Sequence, residues 1–488
     1  MRWFIGILGA AVLTGGCEKP WLPGKQVNHP PETHLMTDTI VRSGADRLQT
    51  QVFLSWWGDD PDGFVTGYEW RSDTATPWRF TRTTDTTILF ELPPGADTAD
   101  VIFYVRSIDD AGMRDPTPAR LRLPLKNSPP SAEWTYPSAF GNQKVPYPTY
   151  TFPVWVLTWD ADDPDGIEQI DSFRLYLNSL DSPYISLPAT VRSVTLEAVS
   201  PGDARSACHI YIQNDETPYR TGLTMHLDDT NRALLVAVDA VGATSPPDTS
   251  RPIFLRRVRS PYLWVNGYGS FFSYHDNRWK GWLAAQGLSD VPALRLAETE
   301  GAYYRQLQPT HFAQALVFAM FDYLFWAGDD PQRSLPLVQQ SIGRFLDRGG
   351  KIFQAVAFPY DADPRAGYFE LMPVDSLVKT DGTFTLDNGA LLHPLRPGWP
   401  TLASSRIVSS ARPFHPHPSA TPLYDAELVV IKDFQSTPWN GTAHVTARRT
   451  FPSGAVYIFS SVLPQHLDAR SNIDSFLARI VHDEFQIP

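Results

Sequence analysis

Leu54 to Gly63 reads LSWWGDDPDG, and Leu157 to Gly166 reads LTWDADDPDG. In each copy an apolar, tryptophan-bearing strand runs into an Asp-Pro-Asp-Gly turn, where proline sets φ and glycine accepts a positive φ. The likeness continues downstream. Val105 to Gly112 (VRSIDDAG) matches Leu235 to Gly242 (LVAVDAVG), and both are β-rich runs ending in Asp-x-x-Gly. One β unit is therefore present twice in the first half of the chain.

A tryptophan on an early strand, Tyr68 or Phe173 on the next, and a late strand ending in a turn form an order that resembles the fibronectin type III or related immunoglobulin-like sandwich. The resemblance covers residues 32–126 and 131–258. The longer second copy is expected to carry an insertion over Ser200 to Tyr219. Asn127-Ser128-Pro129-Pro130 reads as the junction, stiffened by its proline pair.

The first residues, MRWFIGILGAAVLTGGCEKP, combine a positive flank at Arg2, an apolar run from Trp3 to Leu13 and small residues before Cys17. That run is too short to span a bilayer and reads as an export signal over 1–16. The cysteine after small residues resembles a bacterial lipobox, although Thr14 stands where the pattern prefers the leucine found at Leu13. The resemblance implies acylation of Cys17, and each buried methylene would contribute about 0.8 kcal/mol to a membrane anchor. With Glu18 rather than aspartate next, it implies the outer membrane, on either face. Residues 17–31 are polar and proline-bearing, the composition of a tether.

Once Cys17 is acylated, only Cys208 remains. Intramolecular disulfides, thiolate zinc sites and cysteine-pair redox chemistry are excluded. A formal charge of −12 without a long basic run argues against nucleic acid as a partner. The 44 prolines and 31 glycines are spread along the chain, as suits a turn-rich β protein.

The acidic turns bring hard oxygen donors together, and calcium is the cofactor such a set suits. In the second copy the candidates are Asp160, Asp162, Asp163, Asp165 and Glu168, with Asp239 arriving from the late loop. In the first they are Asp59, Asp60 and Asp62, with Asp109. The same residues also make sound turn chemistry, each aspartate capping backbone amides, and neither loop fits the EF-hand spacing.

From Tyr262 the pattern changes. YLWVNGYG reads as a buried strand, His275 to Gln286 as a helix, ALVFAMF (Ala315 to Phe321) as a strand, Ser334 to Arg348 as a helix and KIFQAVAF as a strand. AVYIFSSV and a helix over Asn472 to Phe485 close the chain, while 360–452 is proline-rich and β-leaning, an insertion. The expected fold class is thus multidomain: two all-β sandwiches followed by an α/β domain, 262–488, with a mostly parallel sheet. FLDRGGKIFQAV resembles the helix, double-glycine turn and strand of class I glutamine amidotransferase-like domains. That family's cysteine nucleophile has no counterpart here, and His466, near where a base would fall, has nothing to activate. A ligand would meet the carboxyl ends of the parallel strands, where Asn266, Tyr268, Asp322, Tyr360, Asp361 and Ser461 are the expected edge residues.

Weaker signals are His415-Pro416-His417 as a metal grip, Asp329-Asp330 as an acid pair, and Trp264, Trp279, Trp282 and Trp326 as sugar platforms. Exposed punctuation, a helix start and core packing are the respective plain readings. Gly267-Tyr268-Gly269 lacks the third glycine of a dinucleotide fingerprint. Three functions remain: a non-catalytic envelope lipoprotein binding envelope proteins or glycans, a surface hydrolase acting on glycans, and a calcium-stiffened adhesin. Absence of a recognisable nucleophile or paired acids favours the first.

Overall fold

The computed structural model describes residues 27–36, 51–90, 96, 98–137, 147–296, 307–358, 363, 367–409, 411–467 and 472–488. Cys17, Tyr360 and Asp361 lie outside them. The chain forms two compact units, Met1–Ser128 and Pro129–Pro488. Among the described residues no helix is long and apolar enough to cross a membrane.

In the first unit the strands are β1 (Glu32–Leu35), β2 (Gln51–Asp59), β3 (Val65–Arg71), β4 (Arg79–Thr81), β5 (Asp85–Leu89), β6 (Thr98–Asp109) and β7 (Ala119–Lys126). They pair as β1-β2-β5 and β4-β3-β6-β7, a fibronectin type III-like partition. Strict alternation makes this possible: along β6, Phe103 and Val105 point inward while Tyr104 and Arg106 do not. Trp56, fully buried, packs on Tyr68 and Phe103 at the centre. The tether, drawn from the sequence as far as Pro31, gives way earlier to chain bound to the sandwich, for the Asn28 side chain donates to Asp109 at 2.6 Å.

The second sandwich repeats the plan. Its strands are β8 (Ser131–Thr135), β9 (Tyr150–Thr151), β10 (Val154–Asp162), β11 (Ile170–Leu177), β12 (Ile185–Pro188), β13 (Ser193–Ala198), β14 (Arg205–Ile212), β15 (Arg220–His226), β16 (Asp229–Asn231), β17 (Ala233–Asp239), β18 (Asp248–Thr249) and β19 (Ile253–Leu255). Sheet β12-β11-β17-β18 matches the four-stranded sheet of the first copy. The other sheet runs β15-β14-β13-β10-β8, so the inserted chain forms a hairpin, β14-β15, that widens it by two strands and ends later than Tyr219. In both copies the strand after the acidic turn, β3 or β11, opens with a bulge. There Val65 pairs with Asp109, and Ile170 with Asp239. The irregularity sets the late-loop aspartate beside the acidic turn.

The α/β layer contains β20 (Tyr262–Asn266), α1 (Phe272–Ala285), β21 (Ala293–Arg295), α2 (His311–Ala319), β22 (Tyr323–Gly328), α3 (Pro331–Ser341), α4 (Gly343–Asp347) and β23 (Lys351–Val356), and ends with a strand at Val456–Ser460 and α5 (Asn472–Ala478). The parallel strands order as β21-β20-β22-β23 and then Val456–Ser460. The insertion continues the same sheet antiparallel through His444–Thr450, Ala420–Ala426, Leu391–Pro394 and Leu402–Ala403, so the whole sheet is mixed. Near-continuous apolar runs such as Leu324 to Ala327 suit strands covered on both faces.

One expected element has changed type. Ala315 to Phe321 belongs to α2 and the turn after it, and the strand follows at Tyr323. Leu316, Val317, Phe318 and Ala319 are all buried, so hydrophobicity carries no period there; Thr310, accepting from the Ala313 amide, starts a helix.

The second sandwich and the α/β layer share a core. Phe152 meets Phe321 edge-on at 5.0 Å and Tyr211 meets Phe312 at 5.2 Å. Buried Gln308 donates to Thr151 Oγ1 and to the Val154 carbonyl. This explains a contrast between the copies. On β2, Phe53 and Trp57 are exposed, whereas on β10 Val154 to Leu157 are buried on both faces because α2 packs on the outer one.

Candidate functional site

In the parallel half of the sheet, β20 is flanked by β21 and β22, strands that come after it from either side. Connections thus leave β20 and β22 in opposite directions, and open α/β sheets take ligands in the crevice that this creates at the carboxyl ends. The loops concerned are Gly267 to Ser270 and Asp329 to Asp330. Here they are joined. Gly267 N–H donates to the Ala327 carbonyl at 2.8 Å, Asp330 N–H to the Gly267 carbonyl at 3.3 Å, and Gly269 N–H to Asp329 Oδ1 at 2.7 Å. The two backbones touch, since a Cβ on Gly328 would lie 2.2 Å from the Gly267 carbonyl oxygen. The glycines of the GYG stretch thus serve a contact between loops.

Side chains complete the closure. Tyr268, 0% exposed, stacks on His275 at 3.5 Å and donates its hydroxyl to Gln465 at 2.5 Å. Asn266, also 0% exposed, donates to the Phe272 carbonyl and to Asp276, and accepts from the Tyr268 amide. Asp276 further accepts from Trp264 Nε1 and from both Nε and Nη2 of Arg295, which makes a satisfied buried ion pair. Burial and then neighbouring Arg406 hold the His466 imidazole down at about 4, so it is neutral at pH 7, and its Nδ1 is buried without a hydrogen-bond partner. The sequence pointed to Asn266 and Tyr268, and to Asp329 only as half of an acid pair or a helix start, but not to Asp276, His275 or Gln465, whose roles depend on non-local packing.

The remaining expected edge residues separate. Ser461 does follow the carboxyl end of its strand, buried and bonded through its amide to the Val445 carbonyl. Asp322 must be corrected. It precedes β22, and its backbone carbonyl accepts from the Lys351 amide at the opposite, amino end of the sheet, a consequence of taking α2 for a strand. Tyr360 and Asp361 fall outside the described residues. Trp264, Trp279, Trp282 and Trp326 are buried and offer no platform to a sugar. His417 bonds locally to Ser419, beside a short strand carrying His415. Cys208, 0% exposed on β14, donates to the Gly222 carbonyl, and burial pushes its thiol up to about 12, the state of an inert core cysteine.

At the pole of the second sandwich the six acidic candidates divide. Asp163, Asp165 and Asp239 are buried, while Asp160, Asp162 and Glu168 are exposed. Asp163 Oδ1 accepts the Asp165 amide at 2.8 Å, and Asp239 Oδ1 accepts those of Val241 and Ala243. These are turn caps. Asp163 Oδ2, however, is buried without a partner, and burial together with Asp165 and Asp239 pushes the Asp163 carboxyl up to about 6. In the first sandwich Asp109 takes Asn28 and the Met113 amide, Asp59 takes His34, and Asp62 takes His29 through backbone and ring. Its Asp60 Oδ2 is again buried and unpartnered. Among the described residues no group of three or more His, Cys, Asp or Glu side chains is arranged to hold a metal ion as it stands.

No protein-family model matches the sequence, and neither does any curated protein. Solved structures similar to it include the fibronectin(III)-like modules of Clostridium thermocellum CbhA, at 14% identity over 47% of this chain and 96% of that one, with a TM-score of 0.18. A two-domain fibronectin type III segment of chicken tenascin is similar at 10% identity over 45% and 97%, with a TM-score of 0.20. Carbohydrate-binding modules of the β-sandwich superfamily are similar at 10% identity over 47% and 100%, with a TM-score of 0.16. With scores this low, the sandwich assignment stands on strand order and register.

Proposed function

We propose that the chain is a lipid-anchored envelope protein without catalysis of its own, in which the β-sandwiches act as spacers and the α/β layer as a binding or assembly module. The observation that carries this reading is that the 267–270 and 329–330 loops are bonded to each other, backbone against backbone, across the place where a sheet of this topology takes its ligands. Acylation at Cys17 supplies the membrane as one partner, with the outer membrane favoured by Glu18. Envelope proteins or glycans are the others. A surface hydrolase is the weaker reading, because neutral His466 lies beside no cysteine and the layer contains none.

The test uses the full chain expressed in a bacterium. Wild type should take up labelled fatty acid and enter the detergent phase, Cys17→Ala should do neither, and the purified protein should turn over no chromogenic ester, glycoside or amide substrate. Turnover that His466→Ala abolishes would replace this reading with the hydrolase. At the second sandwich's pole we propose calcium, supported by the unpartnered buried Asp163 Oδ2, around which Asp165 and Asp239 would have to draw in.

A further inference from the structure

Between the second sandwich and the α/β layer, within the unit 129–488, lies a cleft of about 940 Å³. Tyr150, Phe254 and Arg256 line it from the sandwich, Arg257 and Arg259 from the connecting segment, and Lys280 from α1. In a chain of formal charge −12 it gathers five cationic side chains against three acidic ones. Its source is the run Arg256-Arg257-Val258-Arg259, too short to register as a basic stretch in the sequence, but concentrated at the junction by the fold.

The acids do not neutralise it. Asp228 is shared by Arg257 Nε, at 2.7 Å, and by Arg259 Nη2, while Asp276 is committed to Arg295. Asp290 is exposed. Arg256 and Lys280 form no ion pair with any described residue. Arg256 is the telling case. Its guanidinium lies 4.8 Å over Phe152 and 5.2 Å over Tyr150, and its weak bond is to the Ala293 carbonyl at 3.4 Å. Burial lowers its pKa from the ordinary arginine value and outweighs the pull of Tyr150 and of Asp228, which is bonded to Arg257 and Arg259 instead, the mark of a cation desolvated more than it is compensated. Tyr150 and Phe254, stacked at 5.5 Å and half-buried, add an aromatic wall. The volume falls within the range of roughly 300–1,000 Å³ usual for small-molecule sites, which favour such junctions.

We propose that this cleft binds a small anionic sugar, a mono- or disaccharide bearing a carboxylate or a phosphate, with its charge between Arg256 and Lys280 and its ring along Tyr150 and Phe254. The site names a ligand class for the binding module proposed above, yet depends on neither the acyl anchor nor the closed crevice, so either reading can fail alone.

Titration calorimetry of the full chain in detergent with glucuronic acid, glucose 6-phosphate and glucose tests it. At least one charged sugar should bind and glucose should not; glucuronic acid alone would mark a carboxylate ligand, and glucose 6-phosphate alone a phosphate ligand. Lys280→Glu, an exposed change that leaves the core untouched, should weaken binding about tenfold, as reversal of one charge in a partly desolvated site does. Arg256→Leu should abolish it if the variant folds. Equal heats from all three sugars, or binding indifferent to Lys280→Glu, would overturn the proposal.

Discussion

Asp163 shows how one side chain can serve a turn and still leave a debt of charge. Its Oδ1 closes the Asp-Pro-Asp-Gly turn, and its 4% exposure leaves Oδ2 neither water nor a partner. The folded state keeps its proton up to about pH 6, whereas an unfolded aspartate releases it near 3.8. Between those values the folded form binds more protons, so this group's contribution to stability falls as pH rises from about 4 to 6. Thermal unfolding across that range should show the decline in the wild type, and Asp163→Asn should flatten it and melt higher at pH 7. Calcium acts in the opposite sense, since an ion bound only by the folded state stabilises it by mass action at neutral pH. Equal melting in chelator and in millimolar calcium leaves Asp163 as a turn residue only.

Among elements, the loops after β20 and β22 carry the most weight. Gly328→Ala places a methyl against the Gly267 backbone, which cannot yield as a side chain would, so the loops must part. Overpacking of this kind costs about 1–3 kcal/mol or more; denaturant unfolding should show that loss, whereas Gly343→Ala, with open space around it, should show little. Nothing in the sequence near Gly328 announces this contact, because it depends on which loop the fold brings opposite. The paired turns were legible for the contrary reason: Asp109 with Gly112, at φ 85°, and Asp239 with Gly242, at φ 94°, are local devices that repeat along the chain. Helix α2 misled because a segment buried all round has no amphipathic period, and Asp322 was misplaced with it. The last helix succeeded, with Ile473, Phe476, Leu477, Ile480 and Val481 all buried on its inner face, although its second half winds as a π-helix.

At the scale of the molecule, the second sandwich gives up an outer sheet face to α2, and residues 129–488 become one compact body. Phe152→Ala, which opens a cavity at that shared core, should cost about 3–5 kcal/mol and lower a single transition for both parts; two separate melts, only one of them shifted, would argue for independent domains. The sequence foretold both parts but not their union, since the apolar run at Val154 to Leu157 reads equally well as a strand buried within one sandwich. A crevice sealed at the carboxyl ends of the parallel strands is what separates a binding module from an enzyme here. Hydrogen exchange of the Gly267, Gly269 and Asp330 amides tests it most directly: all three should exchange as slowly as the amides inside β20, and exchange at the rate of open loops would show a crevice free to admit a substrate.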